Sequence, residues 1–270
     1  MRLPVPNGSD PLIDRGRMVE EHCYEIERCN QRGGRMLSVV DLIDAGTMNV
    51  EMAAYLLEAV SSGSSFLVGA VPGGAGKTAV MCALLNFIPP DVRIVAASSG
   101  SVVRGASTRQ AGPRACYLCH EIGAGRYFAY LWGRDARDFF SLTSAGHMVA
   151  TNLHADTIDQ TRDQLCGTNK VPEADFRRVN LMLFLRVVRA GGRIKRRIAA
   201  MHHSDGNEPH TLVYRWEPAS DAYVRRSPST TSNEQALAHH KEFIESLCNT
   251  GVRHIADVRT RVIDHLETCR

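Results

Sequence analysis

The chain has 270 residues, of which 44% are hydrophobic and 23% charged, with a formal net charge of +3. This is an ordinary globular composition, and so weak a positive bias argues for neither a nucleic-acid nor a membrane surface. No run approaches the ~20 apolar residues of a membrane span, and the start lacks the apolar core of a signal peptide, so the expected compartment is the cytoplasm. In a reducing compartment the eight cysteines, scattered through apolar segments, read as small buried side chains.

Residues 1–17 read as a loose lead, and "RMVEEHCYEIERCNQRGG" as a short amphipathic helix ended by Gly33-Gly34. "LSVVDLIDAG" opens with Ser38 and Asp41 at capping-box spacing, and "NVEMAAYLLEAVSSG" places Met52, Tyr55, Leu56 and Val60 on one helical face. "SFLVGA" is an uninterrupted apolar run, as in a parallel strand buried on both faces. A glycine-rich loop follows, then the helix "KTAVMCALLNFI", stopped by Pro89-Pro90. "VRIVAAS", "ACYLCHEI", "RYFAYLW" and "HMVATNLH" read as further strands, with "RDARDFFSLTSAG" and "DTIDQTRDQLCG" as helices. Strand and helix alternate to about residue 190, the pattern of βαβ units and a doubly wound sheet. "GGRIKRRIAAMHHSDGNEPHTLVYRWEPASDAYVRR" then reads as antiparallel strands with turns at Asp205-Gly206 and Ala219-Ser220-Asp221. Two helices, "TTSNEQALAHHKEFIESLCNTG" and "HIADVRTRVIDHLE", close the chain.

The loop is "GAVPGGAGKTAV", residues 69–80. It ends as the phosphate-binding pattern G-x-x-x-x-G-K-[ST] requires, but Val71 stands where the pattern has its first glycine. The strand–turn–helix setting supports a working site, in which the backbone of Gly73, Gly74, Ala75, Gly76, Lys77, Thr78 and Ala79 wraps phosphate. Lys77 would reach the β- and γ-phosphates of ATP, and the Thr78 hydroxyl would coordinate Mg²⁺. Gly74 and Gly76, where backbone approaches phosphate most closely, are intact.

Around this loop the chain resembles the catalytic domain of archaeal type IV pilus, archaellum and secretion ATPases. The resemblance rests on "LSVVDLIDAGTMNVEMAAYLLEAVSSGSSFLVGA" and "LLNFIPPDVRIV" flanking the loop, on "AGHMVATNLHAD", and on the tail "GVRHIADVRTRVIDHL". "AGHMVATNLHAD" is similar to the family's His box, with Gly146-His147 and His154-Ala155 present and Asn152 intruding after Thr151. The similarity covers roughly residues 36–265. It implies a RecA-like P-loop ATPase that binds ATP and Mg²⁺ and assembles into a ring. It also implies a partner, a membrane-embedded pilus or secretion platform, and hence a peripheral place at the inner face of the membrane. Family members usually carry an N-terminal domain, so this chain reads as a divergent member without a full one.

The departures fall in the site. The family's acidic box after the second strand is replaced by Ala96-Ala97-Ser98-Ser99. The Walker B strand usually ends in Gly-Glu; "YLCHEIGAGR" offers His120-Glu121, without an arginine at the usual place. Glu121 is the expected base orienting water; a competing alignment puts Tyr130 there instead. The resemblance makes His154 and His147 sensors of the γ-phosphate, although a histidine beside an apolar strand is commonly a packed core residue. Arg109, with Arg104 and Arg114 nearby, is the expected arginine for charge developing on the transferred phosphoryl group, in its own subunit or a neighbour's. "CYLCH", residues 116–120, matches the c-type haem pattern, but it lies inside an apolar strand with no adjacent Cys/His pair, so neither haem nor metal is expected.

The expected fold is therefore α/β: a mainly parallel sheet, a small antiparallel hairpin region and a C-terminal helical tail. Residues 1–35 are a lead with a short helix, 36–190 the ATPase core, and 191–270 the hairpin and helical part of the same domain. The expected function is Mg²⁺-dependent ATP hydrolysis driving a partner, with an ATP-binding, hydrolysis-impaired regulatory or structural module as the alternative. The basic runs "GGRIKRR" and "VRR" read as solvated hairpin strands rather than a nucleic-acid surface.

Overall fold

The computed structural model describes residues 11–30, 33–107, 113–125, 127–190, 192–227 and 234–269. Among the described residues the first element is helix α1 (Pro11–Glu27), which begins six residues before the expected helix and sends Val19, Cys23 and Ile26 into the main core; residues 1–10 of the expected lead lie outside the described residues. Helix α2 (Val39–Asp44) begins at the expected capping box, where the Ser38 N–H donates to Asp41 Oδ2 at 2.8 Å. Helix α3 (Val50–Ser61) is capped by Asn49, whose side chain accepts from the Met52 N–H at 2.9 Å. Strand β1 (Phe66–Gly69) then leads through the loop into helix α4 (Lys77–Leu85), followed by β2 (Arg93–Ala96), α5 (Gly100–Ser107) and β3 (Ala115–Ile122).

The expected strand over "RYFAYLW" shrinks to β4 (Tyr130–Leu131), because Ala129 takes a left-handed backbone (φ 53°) that ends regular pairing. Helix α6 (Arg134–Ser141) and strand β5 (Met148–Leu153) follow. Helix α7 (Ile158–Arg162), capped by Thr157, runs into a π-helical stretch, Asp163–Thr168. Next come helix α8 (Glu173–Arg177), the long strands β6 (Leu181–Ala190) and β7 (Arg193–His203), then β8 (Thr211–Glu217) and β9 (Ala222–Arg225). Asp221 (φ 51°) and Gly206 (φ 94°) take the left-handed conformations that the two expected turns need. Helices α9 (Glu234–Thr250) and α10 (Ile255–Thr268) form the tail.

Among the described residues the strands form one sheet in the order β2-β3-β5-β1-β6-β7-β8-β9, with β4 on β3. The strands from β1 to β6 pair in parallel, and β6 to β9 pair antiparallel. The expected boundary near residue 190 falls at the tip of the β6–β7 hairpin, so the sheet passes through it without a break.

Alternation along the strands builds a core on each face. Phe66 and Val68 of β1, with Met148 and Ala150 of β5, face the layer of α1–α4, α9 and α10. Leu67, Val149 and Leu153 face the layer of α5–α8. The fold is thus an α/β structure with a mainly parallel sheet, an antiparallel hairpin region and C-terminal helices, as expected. Among the described residues, no helix is long and apolar enough to cross a membrane.

Candidate nucleotide site

β1 ends at Gly69, where nothing larger fits. A Cβ there would lie 2.4 Å from the Ala155 carbonyl oxygen and 2.8 Å from the Phe184 ring. The loop then turns through two left-handed glycines, Gly74 (φ 79°) and Gly76 (φ 99°), the second serving as N-cap of α4. Val71 is not among the residues with left-handed backbone. It needs no glycine: its N–H donates to Asp156 Oδ1 at 2.8 Å and its side chain points to solvent. The first turn of α4 closes with the Val80 N–H on Gly76 oxygen at 3.0 Å. The N–H groups of Lys77, Thr78 and Ala79 therefore precede the first intrahelical bond, as at any helix start, and form a concavity for anions with the loop.

Three elements bring the charged groups together. Lys77, buried at the head of α4, lies 3.6 Å by Nζ from Glu121 Oε2 at the end of β3. It also lies 3.4 Å from His154 Nε2 and 3.4 Å from the Ala70 carbonyl oxygen. His154 follows β5 directly; its Nδ1 is 3.0 Å from Val71 oxygen and its Nε2 is 3.7 Å from Glu121 Oε1. The Gln164 side chain fixes this turn, donating to His154 oxygen at 2.6 Å.

Glu121 is only 6% exposed, and Oε1 accepts no hydrogen bond. Burial pushes its carboxyl above the usual range, while Lys77, then His154 and His120, pull it back. A buried, unsatisfied carboxylate oxygen beside a buried ammonium is the arrangement a general base requires before its water arrives. These residues fit ATP with Mg²⁺: an anion concavity, a cation for phosphate, the Thr78 hydroxyl at the second helical position and a carboxylate open on one oxygen.

The other expected residues fall elsewhere. His147 precedes β5 whereas His154 follows it, so they stand roughly 20 Å apart at opposite edges of the sheet. His147 Nδ1 accepts the Ala115 N–H at 3.3 Å, and its ring meets Tyr117 edge-on at 5.3 Å. Burial, then Arg114, lowers its pKa. It lines a cavity of about 240 Å³ with Arg114, Arg178 and Asn180, away from the loop. The expectation that His147 joins His154 at the phosphate is therefore corrected: β5 separates the two within the chain, and His147 meets Tyr117 instead. Arg109 lies outside the described residues. Arg104 pairs with Asp135 at 2.7 Å, and Arg114 donates to Gly63 oxygen at 3.1 Å. Tyr130 sits beside Glu121 in register, but Glu121 is the residue that touches Lys77.

The CxxCH run is divided between the two cores, Cys116 in one and Cys119 in the other. Among the described residues neither cysteine belongs to a possible metal-ligand group.

Asp156 and Gln164 were not foreseen at the site, and neither was an arginine at the loop. Arg196 on β7 donates from Nε to Gly74 oxygen at 3.1 Å, and a Cβ on Gly76 would meet its Cδ at 3.1 Å. It lay hidden in "GGRIKRR". Strand alternation was the available signal, because it turns Arg196 away from Lys195 and Arg197, which both pair with Asp221.

No protein-family model matches the chain. A relative in the archaeon Methanocaldococcus jannaschii, the uncharacterized protein MJ0900, is 27% identical over 212 residues, which is 70% of this chain and 38% of that protein. Two similar solved structures are ATPases. One is the VirB11 ATPase of the Brucella suis type IV secretion system in complex with sulphate, at TM-score 0.43 and 20% identity, covering 60% of this chain and 53% of that one. The other is the Legionella pneumophila ATPase DotB, at TM-score 0.40 and 11% identity, covering 72% of this chain and 55% of that one. The chain thus spans about half the length of these two proteins and 38% of the archaeal relative.

Proposed function

We propose that this chain binds ATP at the 69–80 loop and hydrolyses it as a motor-type ATPase. The observation that carries the reading is the convergence of Lys77, Glu121 and His154 from three elements at the C-terminal edge of one parallel sheet. Ligands of open α/β sheets bind at that edge. The loop N–H groups hold the β-phosphate, and Lys77 moves its Nζ from Glu121 to the β- and γ-phosphate oxygens. Glu121 Oε1 then accepts a proton from the attacking water, with the carboxylate near enough to His154 for imidazole to report the γ-phosphate's departure. Thr78 would hold Mg²⁺, which would neutralise charge on the phosphate groups. Arg196, beside the Gly74 carbonyl, positions the loop.

The motor part of the reading carries further proposals. The chain self-associates as a ring or other homo-oligomer, and a neighbour's arginine, Arg104 or Arg109, completes the site. Its partner is a membrane-embedded secretion or pilus platform, which places it in the cytoplasm at the inner membrane face. A second reading, an ATP-binding module that hydrolyses poorly, is favoured by one observation. The end of β2 offers Ala96, Ala97, Ser98 and Ser99 where a second carboxylate is expected. Calorimetry separates binding from chance resemblance: Lys77→Ala should abolish ATP binding, and unchanged affinity would remove the phosphate-loop reading altogether.

A further inference from the structure

Nitrogen and sulfur side chains converge where α9 and α10 pack together, apart from the phosphate loop. Ligand atoms of His239, His265 and Cys269 lie within 4.8 Å of one another. His265 Nε2 is 3.8 Å from Cys269 Sγ and 2.7 Å from His240 Nδ1. His240 Nε2 in turn lies 2.7 Å from Glu58 Oε2 on α3. Helical spacing makes the cluster: His265 and Cys269 are four residues apart, on one face at the end of α10.

His240 links the cluster to α3, standing between His265 Nε2 and Glu58 Oε2. His265 is already fixed, its ring stacked on Phe243 at 4.0 Å and 5°.

Size agrees with zinc. Bonds of about 2.0–2.1 Å to nitrogen and about 2.3 Å to sulfur, at tetrahedral angles, place nitrogens roughly 3.3 Å apart and nitrogen roughly 3.6 Å from sulfur. The observed nitrogen–sulfur separation of 3.8 Å is close to that geometry, and ligand atoms of all three residues lie within 4.8 Å of one another. Nitrogen and thiolate donors suit zinc-class ions, whereas Mg²⁺ and Ca²⁺ take oxygen.

We propose that His239, His265 and Cys269 bind one divalent transition-metal ion of the zinc class, beside the His240–Glu58 pair. Three protein donors leave the fourth tetrahedral position to water, and the ion ties α9 to α10. None of its residues belongs to the nucleotide site, so it stands or falls separately from the ATPase reading.

The test is a Co²⁺ titration of the reduced, metal-stripped full chain. The site predicts saturation at one equivalent, with tetrahedral Co²⁺ bands in the visible and a thiolate-to-metal band in the near ultraviolet, all displaced by Zn²⁺. His239 and Cys269 are exposed, so His239→Ala and Cys269→Ser keep the fold. Each should weaken Co²⁺ binding at least tenfold, and Cys269→Ser should abolish the thiolate band while leaving ATP affinity unchanged. Only octahedral Co²⁺ spectra, or the same band and affinity in Cys269→Ser, would overturn the site.

Discussion

Replacing Glu121 by Gln separates binding from chemistry, because the carboxylate that pairs with Lys77 is also the one proposed to activate water. At 3.6 Å and an effective dielectric near 20, the gross Lys77–Glu121 attraction is about 4–5 kcal/mol. Both groups are buried, and their desolvation offsets most of that, leaving a net hold of roughly 1 kcal/mol. Lys77 must give up this hold to reach phosphate. Glu121→Gln should therefore bind ATP as tightly as the parent or up to about fivefold more tightly, the factor that 1 kcal/mol represents. Turnover should fall on the order of 10²-fold or more, the contribution of a lost general base. Calorimetry of ATP binding and phosphate release under saturating ATP read the two effects separately. The pH profile gives a third readout. The raised Glu121 pKa means that the base form appears only above the ordinary carboxylate range, so parent turnover rises with pH through that limb and the variant loses it. Turnover within threefold of the parent, or a tenfold loss of ATP affinity, would refute the role. If Tyr130→Phe abolished turnover instead, the competing alignment would be right.

Arg196→Ala should reduce ATP turnover several-fold through a loosened Gly74 loop, yet change urea stability by less than about 0.5 kcal/mol, since the side chain is exposed. Equal stability and equal turnover would show that Arg196 does not position the loop. Gly69→Ala pushes a methyl group against the Ala155 carbonyl and Phe184, so a loss of about 1–3 kcal/mol in urea unfolding, with weaker ATP binding, is expected; a neutral result would mean the β1 end has room to shift. Acid should destabilise the fold before any carboxylate of ordinary pKa is protonated. Burial holds His22 at about 3, and His202 and His203 at about 4, against 6.5 unfolded. Between those values the unfolded chain binds more protons, so stability falls as pH drops from about 6.5 towards 4. A melting temperature that stays flat from pH 7 to 5 would contradict this.

Much of the site was legible because local rules and chemistry coincide there. A buried strand, two glycines and Gly-Lys-Thr at a helix start allow few other conformations, so Lys77 was identified from its neighbours alone. Glu121 and His154 each end an apolar strand, and parallel strands carry their ends to one edge. Arg196 was not legible, because its contact with Gly74 depends on β7 folding back along β6, a pairing far from the loop in sequence. His147 misled for the opposite reason. It resembles a motif by spacing, but the six residues of β5 separate it from His154 by the full height of the sheet. The start of α1 was not legible, since the expected helix began near Arg17 whereas the helix runs from Pro11.

The most direct test of the account is phosphate release from ATP by the purified chain, with and without Mg²⁺, beside Lys77→Ala. The account predicts release that requires Mg²⁺ and disappears in Lys77→Ala. Release that persists undiminished in Lys77→Ala would contradict it. No release from a parent chain that binds ATP tightly would leave the hydrolysis-impaired module as the function.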